Sequence, residues 1–98
     1  MKVNINSVHF KTDKKLDSFI NEKIEKLANI YNGVIGSDVI LKLSNNGSHE
    51  NKIAEIRLKI KGYDLFAKKR SKSFEEAIDI TVEALRRQLK KHKEKIRN

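Results

Sequence analysis

The side chains with the clearest chemical potential in this sequence are the cations of its last segment, residues 86–97. Seven Lys or Arg occupy these twelve positions beside a single acid, Glu94. In a helix, four of them fall at i, i+4, i+7 and i+11 on one line, here called the basic stripe: Arg86, Lys90, Lys93 and Arg97. A row of like charges is self-repelling, and a polyanion relieves the repulsion. Since seven cations exceed what a helix end needs against its dipole, the segment predicts contact with nucleic acid.

The overall charge agrees with this prediction. The chain has 98 residues, with 22 Lys or Arg against 13 Asp or Glu, a formal charge of +9 and a sequence pI near 9.9. This balance is typical of proteins that bind phosphate backbones. The length predicts one domain over residues 1–98. The sequence contains no Cys, which excludes a disulfide framework and a thiolate metal site.

The remaining polar residues give little sign of catalysis or metal binding. His9, His49 and His92 form no pair at the spacing of helical metal ligands, and we expect His92 to be packed near a helix end. A hydrolase would need its carboxylates gathered in a pocket, but those near the start of the last helix are explained by capping and the helix dipole: Glu75, Glu76, Asp79 and Glu83. We therefore expect no catalytic residue, metal, cofactor or small-molecule substrate.

The apolar and aromatic residues also limit the possible partners. No apolar run reaches the roughly 18 residues that span a bilayer, and the N-terminus lacks the apolar core of a signal peptide. The sequence predicts a soluble, cytoplasmic chain with no membrane partner. Most aromatics have plausible core or turn roles, which leaves Tyr63 and gives no evident platform for stacking bases. Binding should then rest on phosphates and shape.

Periodicity predicts the elements that position these residues. Alternation predicts a strand over residues 2–7, and a helix follows over about residues 13–31, with Thr12 as N-cap and Gly33 at C′. Three strands come next, in the segments 39–43, 54–60 and 65–70, separated by a polar loop and a short hairpin turn. Ser73 and Glu76 form the capping-box pattern that opens the last helix.

The order β-α-β-β-β-α predicts an α+β fold, with a four-stranded sheet and two helices packed on one face, similar to double-stranded RNA-binding domains. The other face is left to water, and we expect Arg57, Lys59, Lys68 and Arg70 to lie on it. The fourth strand has two possible registers: Leu65 and Ala67 inward with Phe66 outward, or the reverse.

The C-terminal block AIDITVEALRRQLKKHKEK, residues 77–95, resembles the signature of the short ribosome hibernation-promoting factors and the ribosome-associated translation inhibitors. In that family an Ala-Ile-Asp opens the second helix, and a Leu-x-Arg-Gln-Leu-x-Lys-His-Lys run closes it. The first strand and a patch at residues 23–27 are similar too. The family's Asp-Met-Tyr-like element is replaced here by Ser-Phe-Glu-Glu at residues 73–76. The chain ends at Asn98, so it lacks the C-terminal domain by which long forms pair ribosomes.

The resemblance implies a non-enzymatic protein, monomeric when free, that binds the small ribosomal subunit when growth slows. It would contact rRNA in the channel of messenger RNA and the A- and P-site transfer RNAs, blocking translation and preserving the ribosome. The implied rRNA contacts are Arg86, Arg87, Lys90, Lys91 and Lys93 on the last helix, with Arg97 on the basic stripe. A second set is Lys23, Lys26, Lys68, Lys69 and Arg70.

Two other functions fit the same pattern of residues. A general double-stranded RNA-binding module would share the fold, but such modules usually carry Lys at the start of the last helix, where this chain is acidic. A small RNA hydrolase would use Glu76, Asp79 or Glu83 and would lose RNA cleavage on Asp79→Ala.

Overall fold

A computed structural model of the chain describes residues 1–45, 47 and 49–97, and for Ile96 and Arg97 it describes the backbone alone. The elements follow the predicted order: β1 (Lys2–Ser7), α1 (Lys14–Ala28), β2 (Val34–Leu43), β3 (Lys52–Ile60), β4 (Tyr63–Ser71) and α2 (Phe74–Arg97). The predicted β-α-β-β-β-α architecture is confirmed.

The four strands form one sheet in the order β1-β2-β3-β4, so β1 and β4 are its edges. β1 runs parallel to β2, since α1 supplies the crossover between them, and the remaining pairs are antiparallel. A two-residue turn, Lys61 and Gly62, joins β3 to β4. Gly62 has φ +98°, a backbone conformation that glycine adopts without a steric cost.

The register of β4 places Phe66 outward. Leu65 pairs with Leu58 and Ala67 with Ile56, and all four side chains are buried. Phe66, which pairs with Arg57, lies on the face opposite the helices and is 45% exposed. Of the two predicted registers, the structure has the one with Leu65 and Ala67 inward.

The start of α1 differs from the prediction. Asp13, and not Thr12, is the N-cap, and its carboxylate accepts a 2.8 Å hydrogen bond from the N–H of Leu16. Thr and Asp are both common N-cap residues, so residue type alone does not decide between the adjacent Thr12 and Asp13.

The end of α1 also differs, because the helix stops at Ala28 with Asn29 as C-cap and does not reach Tyr31. The N–H of Ile30 donates to the carbonyl of Leu27, and that of Tyr31 to Ala28. These i→i−3 bonds form a tighter turn after the last helical residue, and Ile30 and Tyr31 continue the apolar spacing within it. Gly33 is consequently not the C′ residue.

Both helices cover the same face of the sheet, and the core lies between the two layers. The largest fully buried side chains come from both helices and the two central strands: Ile20, Ile24, Leu27, Val39, Leu41, Ile56, Leu58, Ile78, Leu85 and Leu89. Within the described ranges, no helix is both long enough and apolar enough to cross a bilayer.

Candidate nucleic-acid interface

The acidic start of α2 has a structural role. Ser73 caps the helix, because its hydroxyl accepts a 3.1 Å hydrogen bond from the N–H of Glu76. Glu75 and Glu76 occupy the first turn, where negative charge complements the helix dipole. Farther along, Asp79 forms a 3.0 Å ion pair with Lys23 of α1. These acids therefore cap the helix and tie it to its neighbour.

The second half of α2 presents the exposed cations. The α2 basic surface is defined here as Arg86, Arg87, Lys90, Lys91 and Lys93, all of them exposed. Arg86 makes a long 3.9 Å contact with Glu83 on its own helix. Among the residues that the structure describes, the other four make no ion pair. The predicted contact at Arg97 lies outside the described side chains.

Helical geometry divides this surface into two lines. Leu85 and Leu89 are fully buried and mark the side of α2 that faces the sheet. With 100° per residue, Arg86, Lys90 and Lys93 fall on the side next to α1. Arg87 and Lys91 fall on the outer side. The α2 basic surface thus wraps around the exposed part of the helix, so a polyanion could be engaged from two directions.

Lys23 and Lys26 of α1 lie near this surface but are already paired. They line a cleft of about 340 Å³ between the helices, together with Arg86 and Glu83. Lys23 pairs with Asp79 and lies 5.4 Å from the ring centroid of Phe19. Lys26 pairs with Glu22 one turn earlier, at 3.4 Å. Their positive charge is therefore offset by neighbouring acids, unlike that of Lys90 or Lys93.

An aromatic cluster holds the basic end of α2 against the rest of the protein. His92 packs edge-on between Tyr31 and Tyr63, with ring centroids 5.2 and 5.0 Å away, and its Nδ1 is hydrogen-bonded to the Tyr63 hydroxyl. The ring of Tyr31 covers Gly33, where a Cβ would overlap it. The expectation of a packed histidine is confirmed, and its packing positions the cations on either side.

The predicted cations of β4 lie away from the end of α2. Lys68, Lys69 and Arg70 are exposed, but α2 runs back along β4, so its basic end meets the start of that strand at Tyr63. Lys68 lies five residue steps along the extended strand from Tyr63, a distance of about 17 Å. The middle of α2 is nearer to these cations, because Gln88, next to Arg87, donates a hydrogen bond to the Phe66 carbonyl.

Three cations in the middle of the open face of the sheet are paired with acids. Lys42 pairs with Glu55 at 2.5 Å, Lys59 with Asp38 at 3.2 Å and, more loosely, Arg57 with Asp64 at 3.8 Å. Hydrogen bonds to Asp38 from the Asn4 amide and from Lys59 lower the pKa of that carboxyl below its ordinary value. Arg57 and Lys59 occupy the predicted face, but salt bridges compensate their charge.

Two aromatics, Tyr63 and Phe66, are exposed. Tyr63, which seemed available for stacking, is engaged with His92, whereas Phe66 is exposed on the open face with the Arg57 guanidinium 5.9 Å from its ring centroid. Phe10 and Phe74 stack on each other at 5.0 Å, consistent with the predicted core or turn roles. The register of β4 decides that Phe66 is exposed on the open face, because Leu65 and Ala67 take the buried positions.

The family described as "Sigma 54 modulation protein / S30EA ribosomal protein" matches residues 3–97, nearly the whole chain. The chain belongs to this family. A relative from Pseudomonas putida, named ribosome hibernation promoting factor, is 32% identical over 95 residues, which cover 97% of this chain and 89% of that protein. The resemblance seen in the C-terminal block is confirmed.

Solved structures share the fold. A ribosomal subunit interface protein from Coxiella burnetii has a TM-score of 0.84 at 17% identity, and the match covers 95% of this chain and 98% of that one. The N-terminal domain of Protein Y from Thermus thermophilus has a TM-score of 0.81 at 19% identity, covering 94% and 99%. At such identities the likeness is one of fold.

Proposed function

We propose that this protein is a ribosome hibernation factor that binds the small ribosomal subunit through the α2 basic surface. The protein would contact rRNA in the channel of messenger RNA and the A- and P-site transfer RNAs. Translation would stop, and the idle ribosome would be kept intact under stress or in stationary phase. The protein would act in the cytoplasm as a single domain, monomeric when free, without catalysing a reaction.

The observation that carries this proposal is the unequal pairing of cations. Salt bridges offset the charge of Lys42, Arg57 and Lys59 on the sheet and of Lys23 and Lys26 on α1, but four of the five cations in the α2 basic surface have no ion pair among the described residues. Uncompensated charge of this kind is what a phosphate backbone neutralises on binding. The name of the Pseudomonas putida relative, a ribosome hibernation promoting factor, supports the ribosome as the source of that phosphate.

The two rival functions receive less support. A hydrolase would need its carboxylates free to act on RNA, but Asp79 is paired with Lys23 and Glu83 lies 3.9 Å from Arg86. Within the described part of the chain, no three His, Asp or Glu side chains are grouped to hold a metal ion. A general duplex binder with Lys at the start of its last helix is disfavoured by the capping acids found there.

The test is cosedimentation of the purified protein with small subunits, combined with translation in vitro. We expect Arg86→Glu with Lys90→Glu to abolish both ribosome binding and inhibition, because two phosphate contacts become repulsive. Both side chains are exposed, so the variant should keep its fold, which circular dichroism would check. Unchanged binding by the folded variant would overturn the assignment of this surface.

A matched control makes the same change of charge elsewhere. Lys14 and Lys15 are exposed in the first turn of α1. Lys14→Glu with Lys15→Glu should retain most of the binding, since this turn adjoins the acidic start of α2. Equally tight binding of free duplex RNA and of small subunits would favour the general duplex binder.

A further inference from the structure

The outer side of β4 carries an exposed aromatic and cations that the α2 basic surface does not include. Phe66, Lys68 and Arg70 alternate along the strand with residues of the opposite face, so they share the open face of the sheet. Their cross-strand partners on β3 are Arg57, Glu55 and Ile53. An aromatic ring is thus followed by two cations, each about 7 Å from the last.

The surroundings of these residues make a shallow site. Lys68, Lys69, Arg70 and Ile53 line a surface depression of about 450 Å³. The half-buried Ile53 gives it an apolar lining, and the three cations are exposed. Among the described residues none of these cations forms an ion pair, and the neighbouring Glu55 is paired with Lys42. The depression combines uncompensated positive charge with apolar surface, and Phe66 lies two residues along the strand from Lys68.

Phe66 is also held in a fixed position. The backbone carbonyl of Phe66 accepts a 3.0 Å hydrogen bond from the Gln88 side chain, which ties the strand edge to α2. The Arg57 guanidinium lies 5.9 Å from the ring centroid on the same face. A planar group that stacks on the exposed part of this ring would share it with the Arg57 guanidinium, which lies over the ring, and a cation beside a stacked aromatic favours nucleobases.

We propose that the outer face of β4, from Phe66 to Arg70, is a second binding site that takes single-stranded RNA. One base stacks on Phe66, and the adjoining phosphates contact Lys68 and Arg70. Single-strand binding elsewhere combines a cationic track with aromatic stacking in this way. That the single strand is RNA and not DNA rests on the proposed ribosomal function. The stacking and phosphate contacts are inferred from the geometry of β4 alone. The protein would then engage RNA on both layers of its fold.

The test uses the absence of tryptophan from the sequence. In Phe66→Trp the indole is the sole tryptophan, so its fluorescence reports directly on a base that stacks there. We expect a ten-nucleotide oligoadenylate RNA to quench it. Ile80→Trp is the matched control, because Ile80 is 39% exposed on the acidic half of α2. Quenching that is absent, or equal in both variants, would overturn the proposal.

A second measurement follows the affinity of the labelled oligoadenylate by fluorescence anisotropy. Phe66→Ala changes no charge, and it should weaken binding roughly 5- to 150-fold, the range for loss of one base–aromatic stack. Affinity unchanged by Phe66→Ala in a variant that unfolds cooperatively would also refute the site. Because the RNA is free and no ribosome is present, these results stand apart from the cosedimentation test of the α2 basic surface.

Discussion

Lys90 and Lys93 provide a quantitative test of whether α2 contacts RNA. Both are exposed on the same side of the helix, and neither forms an ion pair among the described residues. Each phosphate contact contributes about 0.7 to 0.9 to the slope of log affinity against log salt. If both residues contact phosphates, Lys90→Gln with Lys93→Gln should reduce the steepness of that slope by about 1.4 to 1.8.

This change in slope corresponds to a measurable change in affinity. Between about 50 and 200 mM salt, two contacts account for a roughly 7- to 12-fold part of the total loss of binding. Lys and Gln have similar helix propensities, so the free energy of unfolding should change by less than about 0.5 kcal/mol. A change in binding can then be assigned to RNA contact.

The assay is binding to purified small subunits at four or more salt concentrations, for this variant and for Lys14→Gln with Lys15→Gln. The control removes the same charge from the first turn of α1 and should keep the slope of the unsubstituted protein. The reasoning fails if the two variants have the same slope, because binding would then depend on total charge and not on the α2 basic surface.

Two further predictions concern the groups that organise the sheet and the end of α2. Tyr63→Phe removes the hydroxyl that is hydrogen-bonded to His92, and it should lower the free energy of unfolding in urea by about 0.5–1.5 kcal/mol; an unchanged unfolding midpoint would show that the contact stabilises nothing. Asp38 has a lowered pKa in the folded protein, so it contributes stability that is present above its ordinary pKa of 3.8 and is lost as the pH falls through the folded value. Asn4→Ala should raise the pKa of Asp38, measured by NMR titration of its carboxyl carbon, and a pKa that stays the same would mean that Lys59 alone sets it.

The fold was largely predictable because its strongest signals are local and periodic. Val3 and Ile5 alternate in β1, and every second residue of β3 from Ala54 to Ile60 is apolar and buried, so the inner face of the sheet followed from period two. The family resemblance covered almost the whole chain. The errors fell at the two ends of α1. At its start, Thr12 and the adjacent Asp13 are both capping residue types, and at its end a tighter turn keeps the same apolar spacing as a continued helix.

The candidate site was predictable in composition but less so in arrangement. Runs of Lys and Arg identify cations, but they do not show which of them have a carboxylate partner across the fold. Lys23 is an example, because Asp79, its partner, is 56 positions away in the sequence and comes close only when α1 packs beside α2. The distance of Lys68 from the end of α2 likewise depends on α2 running back along β4.

The pairing of charges therefore carries more functional information than the net charge. A formal charge of +9 predicts a polyanionic partner but would be the same if every cation lay on one face. Here ion pairs join β2 to β3 and β3 to β4, which leaves the middle of the open face nearly neutral. Cations without an ion pair among the described residues are grouped in the second half of α2 and at the end of β4, and Lys14 and Lys15 at the start of α1 are unpaired as well. Under the proposed function, the two larger groups provide two surfaces for contact with RNA.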